Sequence, residues 1–185
     1  SGALLRDVTS ISPATGIVAF LTVSGHPRKG HLFVAQAGGS PNSIFDVNPS
    51  SGGSSIFNAD GADGLCVTTD GSKLLAAEGT VLKIYDTVSG APLMTSPAVC
   101  TVTDGIAVGE GELAGKAFTN CTNGEVWEWK YDAGAPDACP TSCPAGPIRR
   151  IASGGSRGDF IAVDRYVQAK PGGSYPSLLL TQTDR

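Results

Sequence analysis

The chain has 185 residues, of which 25 are glycine and 12 proline, and only 16% are charged. This is long enough to enclose one sizeable core. The balance favours many short strands joined by tight turns over long surface helices, which would demand more Glu, Lys and Arg. A formal net charge of -4 gives no electrostatic footing for nucleic acid, and no apolar run approaches the roughly 18 residues that span a bilayer.

The N-terminus lacks a basic segment followed by an apolar one, so any export signal is expected to be gone already. ALLRDV, from Ala3 to Val8, reads as a strand ahead of the first complete unit. Thr15-Gly16-Ile17-Val18-Ala19 then opens a pattern that returns as Asp63-Gly64-Leu65-Cys66-Val67, Asp104-Gly105-Ile106-Ala107-Val108 and Asp159-Phe160-Ile161-Ala162-Val163. Each opening is followed by a turn and a second apolar run: HLFVAQ from His31, KLLAAE from Lys73, KAFTNC from Lys116 and SLLLTQ from Ser177. A third run alternates in character in three units, SIFDVN from Ser43, VLKIYD from Val81 and EVWEWK from Glu125, and such alternation marks a half-buried strand. A more variable fourth closes each of them: SSIFN from Ser54, APLMTS from Ala91 and IRRIAS from Ile148.

The openings near residues 15, 63, 104 and 159 stand 48, 41 and 55 residues apart. Four strands at that period define a propeller blade. The longest interval contains a strandless insert, residues 131–146, of the kind that repeats tolerate in one loop of one unit. The expected fold is therefore all-β: a single β-propeller domain over residues 1–185, with about four blades of four antiparallel strands each.

The fourth unit ends soon after its second strand, and the N-terminal strand supplies one of the two it still needs. Two readings follow. Either this is a compact ring of about four blades, fastened by ALLRDV pairing with SLLLTQ, or it belongs to a larger ring completed by another copy or by further sequence. Unpaired strand edges attract other chains, so self-association is an expected property.

Residues Ala62 to Leu93, with the Asp70-Gly71 turn and Asp86-Thr87 leading into Ser89-Gly90, resemble the YVTN and NHL propeller repeats. The Asp-Gly opening is also similar to the gluconolactonase (regucalcin-like) propellers. That second resemblance implies a metal-dependent hydrolase with Glu and Asn ligands and a carboxylate base. Here the Asp positions match it only as repeat starts, and the full ligand set is not found.

Five cysteines suit an oxidising, extracytoplasmic compartment, secreted or at the cell surface. Cys100 precedes the first strand of the third unit and Cys121 ends its second, so antiparallel pairing brings them together. Cys139 and Cys143 would staple the insert, and Cys66 reads as a buried thiol. A zinc site from the insert cysteines with His26 or His31 is the weaker alternative, because the spacing and a paired histidine are missing. The two histidines bracket HPRKGH, which reads as a solvated turn. Asn120-Cys121-Thr122 fits a glycosylation sequon, and Arg157-Gly158-Asp159 has integrin-type form, although its Asp already occupies a repeat position.

In a propeller the first strands begin, and the second strands end, at one mouth of the central channel. This gathers Asp63, Asp104 and Asp159, with Gln36, Glu78, Asn120 and Gln182 close behind. Oxygen ligands converging there, Asp63, Asp104, Asp159 and Glu78 foremost, could hold a hard cation such as Ca2+. The mouth could equally take a small extracellular ligand, or each Asp could serve only its own turn. Trp127 and Trp129 share one strand face and read as core between blades sooner than as a sugar platform. No nucleophile elbow, phosphate loop or HExxH pattern is present. The leading expectation is an extracellular binding or assembly module. The alternative is a metal-dependent hydrolase or lyase of the lactonase-like propellers.

Overall fold

A computed structural model describes residues 11, 18–36, 42–132, 148–155, 160–163 and 178–180. The first sheet contains β1 (Val18–Phe20), β2 (Leu32–Gln36), β3 (Ser43–Asn48) and β4 (Gly53–Asn58). The second contains β5 (Gly64–Val67), β6 (Lys73–Glu78), β7 (Val81–Asp86) and β8 (Pro92–Thr95). The third holds β9 (Thr103–Val108), β10 (Lys116–Cys121), β11 (Val126–Lys130) and β12 (Ile148–Ala152), with a short 3-10 turn at Gly111–Leu113. β13 (Ile161–Val163) pairs with β14 (Leu178–Leu180) in the fourth. Every sheet is antiparallel, with strands in chain order. The expected strand from Ala3, the staple between Cys139 and Cys143, and Asp159 and Gln182 fall outside the described residues.

Successive sheets stack face to face, which explains why the second strands are apolar almost throughout. In β6, Leu74 and Ala76 join Phe33, Ala35 and Ile44 in a core between the first and second sheets. Leu75 and Ala77, pointing the other way, join Ile106, Val108, Ala117 and Trp129 between the second and third. A third core sets Phe118, Ala107 and Val126 against Ile161 of β13. Side chains alternate across a strand, so a sheet buried on both faces needs apolar residues at consecutive positions. The inner strands lie side by side in sequence, β1 beside β5, β5 beside β9 and β9 beside β13. These are the blades of a β-propeller.

The Asp-Gly openings have a physical reason. A Cβ at Gly64 would stand 2.4 Å from the Asp104 carbonyl oxygen and 2.9 Å from the Ile106 nitrogen. Only glycine lets the inner strands of neighbouring blades approach this closely. Turn chemistry repeats as well. Between β7 and β8, Asp86 Oδ1 accepts from the Val88 and Ser89 amides at 3.1 and 2.7 Å, and Gly90 has φ 76°. Between β3 and β4, Asn48 Oδ1 accepts from the Ser50 amide at 2.9 Å, and Gly52 has φ 75°. Both turns use a short polar side chain to hold the bend and a glycine to take the left-handed residue.

Cys100 and Cys121 form a disulfide, Cα to Cα 6.4 Å, as the strand register requires. Cys66 remains a thiol, half-buried beside the core between the second and third blades rather than sealed within it.

Candidate functional site

Among the residues expected at the mouth, Asn120, with its neighbour Thr119, is engaged in holding backbone. The Asp63 amide donates to Ala77 O at 2.9 Å, extending the β5–β6 ladder by one residue. The β9–β10 register slips between Thr119 and Cys121, and Asn120 repairs the gap. Its Oδ1 accepts from the Gly105 amide at 2.9 Å, while the Thr119 hydroxyl donates to Gly105 O at 2.7 Å. A bulge exposes a ladder donor, and here a side-chain amide takes the place of the missing carbonyl. Asn120 is only 4% exposed, so the sequon lies where a glycan has no room. Asp104, at the start of this strand pair, is buried.

Glu78 lies beside the connection between the first and second blades, where it shares Lys83 and Tyr85 with Asp60. Tyr85 donates its hydroxyl proton to Glu78 Oε1, and Lys83 Nζ lies 2.8 Å from Oε2. The same two residues reach Asp60 in the connection from β4 to β5: Lys83 at 2.9 Å and Tyr85 at 3.0 Å. Lys83 and Tyr85 stand two apart on β7, on the face opposite to core residues Leu82 and Ile84. The cluster thus ties the interblade connection to the blade that follows it.

Charges in this cluster are tuned in opposite directions. Burial pushes the Glu78 carboxyl above its ordinary range, with the Lys83 and Tyr85 hydrogen bonds pulling against it. The hydrogen bond from Lys83 holds Asp60 below its ordinary range despite some burial. Burial, then the Glu78 carboxylate, drives the Tyr85 phenol upward, so it stays a donor. The folded chain therefore holds the Glu78 proton more tightly than the unfolded chain does. Its stabilising contribution is full below the ordinary carboxylate value and fades as pH rises through the raised folded value. Glutamine mimics the neutral acid and still accepts from Tyr85. The stability of Glu78→Gln relative to wild type is expected to be more favourable at pH 7 than at pH 4, read from urea midpoints at both. A difference that is flat or reversed between the two would mean that the Lys83 pair outweighs burial.

The HPRKGH turn is anchored, contrary to the solvated loop expected. The single hydroxyl proton of Thr87 goes to Gly71 O at 2.6 Å. His26 Nε2, 3.1 Å from that hydroxyl, must then donate, leaving Nδ1 to accept the Arg28 amide at 3.1 Å. His31 Nδ1 sits 2.7 Å from Asp46 Oδ1, and Arg28 reaches the other carboxylate oxygen at 3.2 Å. The Arg28 guanidinium also lies over the Phe57 ring, 5.1 Å from its centroid. Thus the first blade's turn is latched to the second blade through Thr87. The signal in the sequence was Asp46, opposite Phe33 in register and therefore diagonal to His31, two residues before Phe33.

Among the described residues, no group of three or more His, Cys, Asp or Glu side chains is placed to hold a metal ion. No helix is long and apolar enough to cross a membrane among them.

No family model matches the chain, and no curated protein matches it. Among solved structures it is similar to a β-propeller chain in the crystal structure of the mitotic checkpoint complex. The identity is 15% and the TM-score 0.55, over 80% of this chain and 39% of that one. The likeness establishes the fold, and the chain spans about two-fifths of its longer counterpart.

Proposed function

We propose that this β-propeller acts as a binding and assembly module for protein partners in an oxidising, extracytoplasmic compartment. The observation that carries the reading is a recurrent apolar residue on the outermost strand of three consecutive blades. Ile56 on β4 is 57% exposed, Leu93 on β8 is 53% and Ile151 on β12 is 39%. An outermost strand offers main-chain donors and acceptors along its edge, and apolar side chains beside that edge suit an added extended segment. The Cys100–Cys121 bridge supports the compartment. The resemblance of residues 62–93 to YVTN and NHL repeats, and a similar fold in a component of a multiprotein complex, agree with a scaffold role.

The test is retention of a pool of synthetic extended peptides, alternating apolar and polar, on the immobilised chain. Wild type is expected to retain a subset that the Ile56→Lys, Leu93→Lys, Ile151→Lys triple variant loses by tenfold or more, at an unchanged melting temperature. No retention, or equal retention by both, refutes the reading.

A further inference from the structure

We infer that the outer edge of β12 is a docking strand for an acidic extended segment of a partner protein. The inference rests on the binding and assembly reading above, and it names the partner's chemistry at one of the three edges. Of the three outermost strands, β4 (GSSIFN) and β8 (PLMT) carry no charged residue, whereas β12 (IRRIA) carries two arginines side by side. β12 ends its sheet, so β11 takes one of its edges and the other faces outward among the described residues. The Arg149 and Arg150 side chains are 66% and 53% exposed, and Ile151 next to them is 39% exposed.

Neighbouring residues of a strand point to opposite faces, and the register places the two arginines accordingly. Arg149 stands opposite Glu128, on the face that Phe118 turns toward the fourth blade. Its Nε and Nη2 donate to the two oxygens of Glu128 at 2.9 and 3.1 Å. Arg150 stands opposite Trp127, on the face toward the second blade, and its Nη1 donates to Glu125 Oε1 at 2.5 Å. The two guanidinium groups are thereby held in place, one on each side of the same edge. Their charge is not cancelled. Lys116 also lies 4.0 Å from Glu128, and Lys130 brings the cations of β10 to β12 to four, against the carboxylates of Glu125 and Glu128. This positive rim belongs to a chain whose formal net charge is -4. Charge on an edge strand repels most added strands and admits one of opposite sign. An added strand sets consecutive side chains on its two faces, so adjacent carboxylates meet Arg149 and Arg150 while an apolar neighbour covers Ile151. A guanidinium presents five N–H donors in a planar fork, which suits it to sharing between two carboxylates. The partner is therefore a protein segment with paired acidic residues next to an apolar one, its main chain supplying the ladder hydrogen bonds.

Two short synthetic peptides test this, each alternating Val and Thr, one with Glu-Glu at its centre and the other with Gln-Gln. On the immobilised full chain, the Glu-Glu peptide is expected to bind about tenfold more tightly than its twin at about 50 mM NaCl, and to lose that advantage near 500 mM. Arg150→Gln is expected to reduce the preference by about threefold, and Arg149→Gln combined with Arg150→Gln to abolish it. Should the double variant fail to fold by its melting curve, Arg150→Gln and the salt dependence of the wild type decide. Equal affinity for the two peptides overturns the inference and leaves the assembly reading standing. So does a preference that survives the arginine substitutions or high salt. Tighter binding of an oligothymidylate than of the Glu-Glu peptide also overturns it, because phosphates offer charge without a strand. Retention of neither peptide overturns it too, and the assembly reading is then judged on its own peptide pool.

Discussion

Replacing Trp129 by alanine is expected to cost about 3–5 kcal/mol, the range for deleting a large buried aromatic. Trp129 is 1% exposed and is packed among Leu75, Leu82, Ile84, Val108 and Ala117, so it belongs equally to the second and third blades. Its ring centroid lies 6.1 Å from that of Tyr131. The indole nitrogen has no acceptor among the described residues, so the substitution removes packing without removing a hydrogen bond. Denaturant unfolding checks the value, and a loss under about 1 kcal/mol would mean that the two blades are not held together here. Trp127, two residues away, is half-buried, and its indole donates to Glu125 at 3.1 Å. Its alanine variant is expected to lose clearly less, which separates a wedge between blades from a residue at its rim.

Breaking the Cys100–Cys121 bridge is expected to destabilise the chain by about 3 kcal/mol, because it closes a loop of intermediate length whose unfolded freedom it restricts. The bridge also secures the segment that carries the chain from the second blade to the third. That segment is pinned on the β6–β7 turn, where the Val99 amide donates to Thr80 O at 2.8 Å and the Thr103 amide to Gly79 O at 2.6 Å. On the other side, the Thr122 amide donates to Val102 O at 3.1 Å. A Cys100→Ser, Cys121→Ser double variant avoids leaving one thiol alone, and its urea midpoint in oxidising buffer should match that of reduced wild type. Equal midpoints for oxidised wild type and the double variant would show that the bridge constrains nothing.

The blades were legible because two periodicities coincide in this sequence. KLLAAE and KAFTNC, buried on both faces, read as continuous apolar runs, and the strands found, Lys73–Glu78 and Lys116–Cys121, have those same bounds. VLKIYD also has the bounds expected, but its polar positions carry a second message that alternation alone does not decode. Alternation reads Lys83 and Tyr85 as the polar face of a strand, whereas they pair with Glu78 on the adjacent strand and with Asp60 in the connection from the first blade. Alternation reads Glu128, on EVWEWK, in the same way, and Lys116 opens a run that reads as apolar throughout. Lys116 and Glu128 are 4% and 3% exposed, with Glu128 accepting from Arg149 Nε at 2.9 Å. A charged residue in an alternating strand is read as solvent-facing, and only the neighbouring sheet decides otherwise. Asp-Gly repetition draws attention to the carboxylate, while the close approach at Gly64 rests on the glycine beside it.

The bridge within the third blade has a mechanical consequence. If the chain is pulled from its ends, the 21-residue span from Cys100 to Cys121 cannot pay out. At about 3.4 Å per residue, a length on the order of 70 Å stays hidden behind the sulfurs. Force would be carried past β9 and most of β10 through a covalent shortcut, leaving those strands slack while the first two blades peel open. Adding reductant under constant tension should release that stored contour as a single lengthening step.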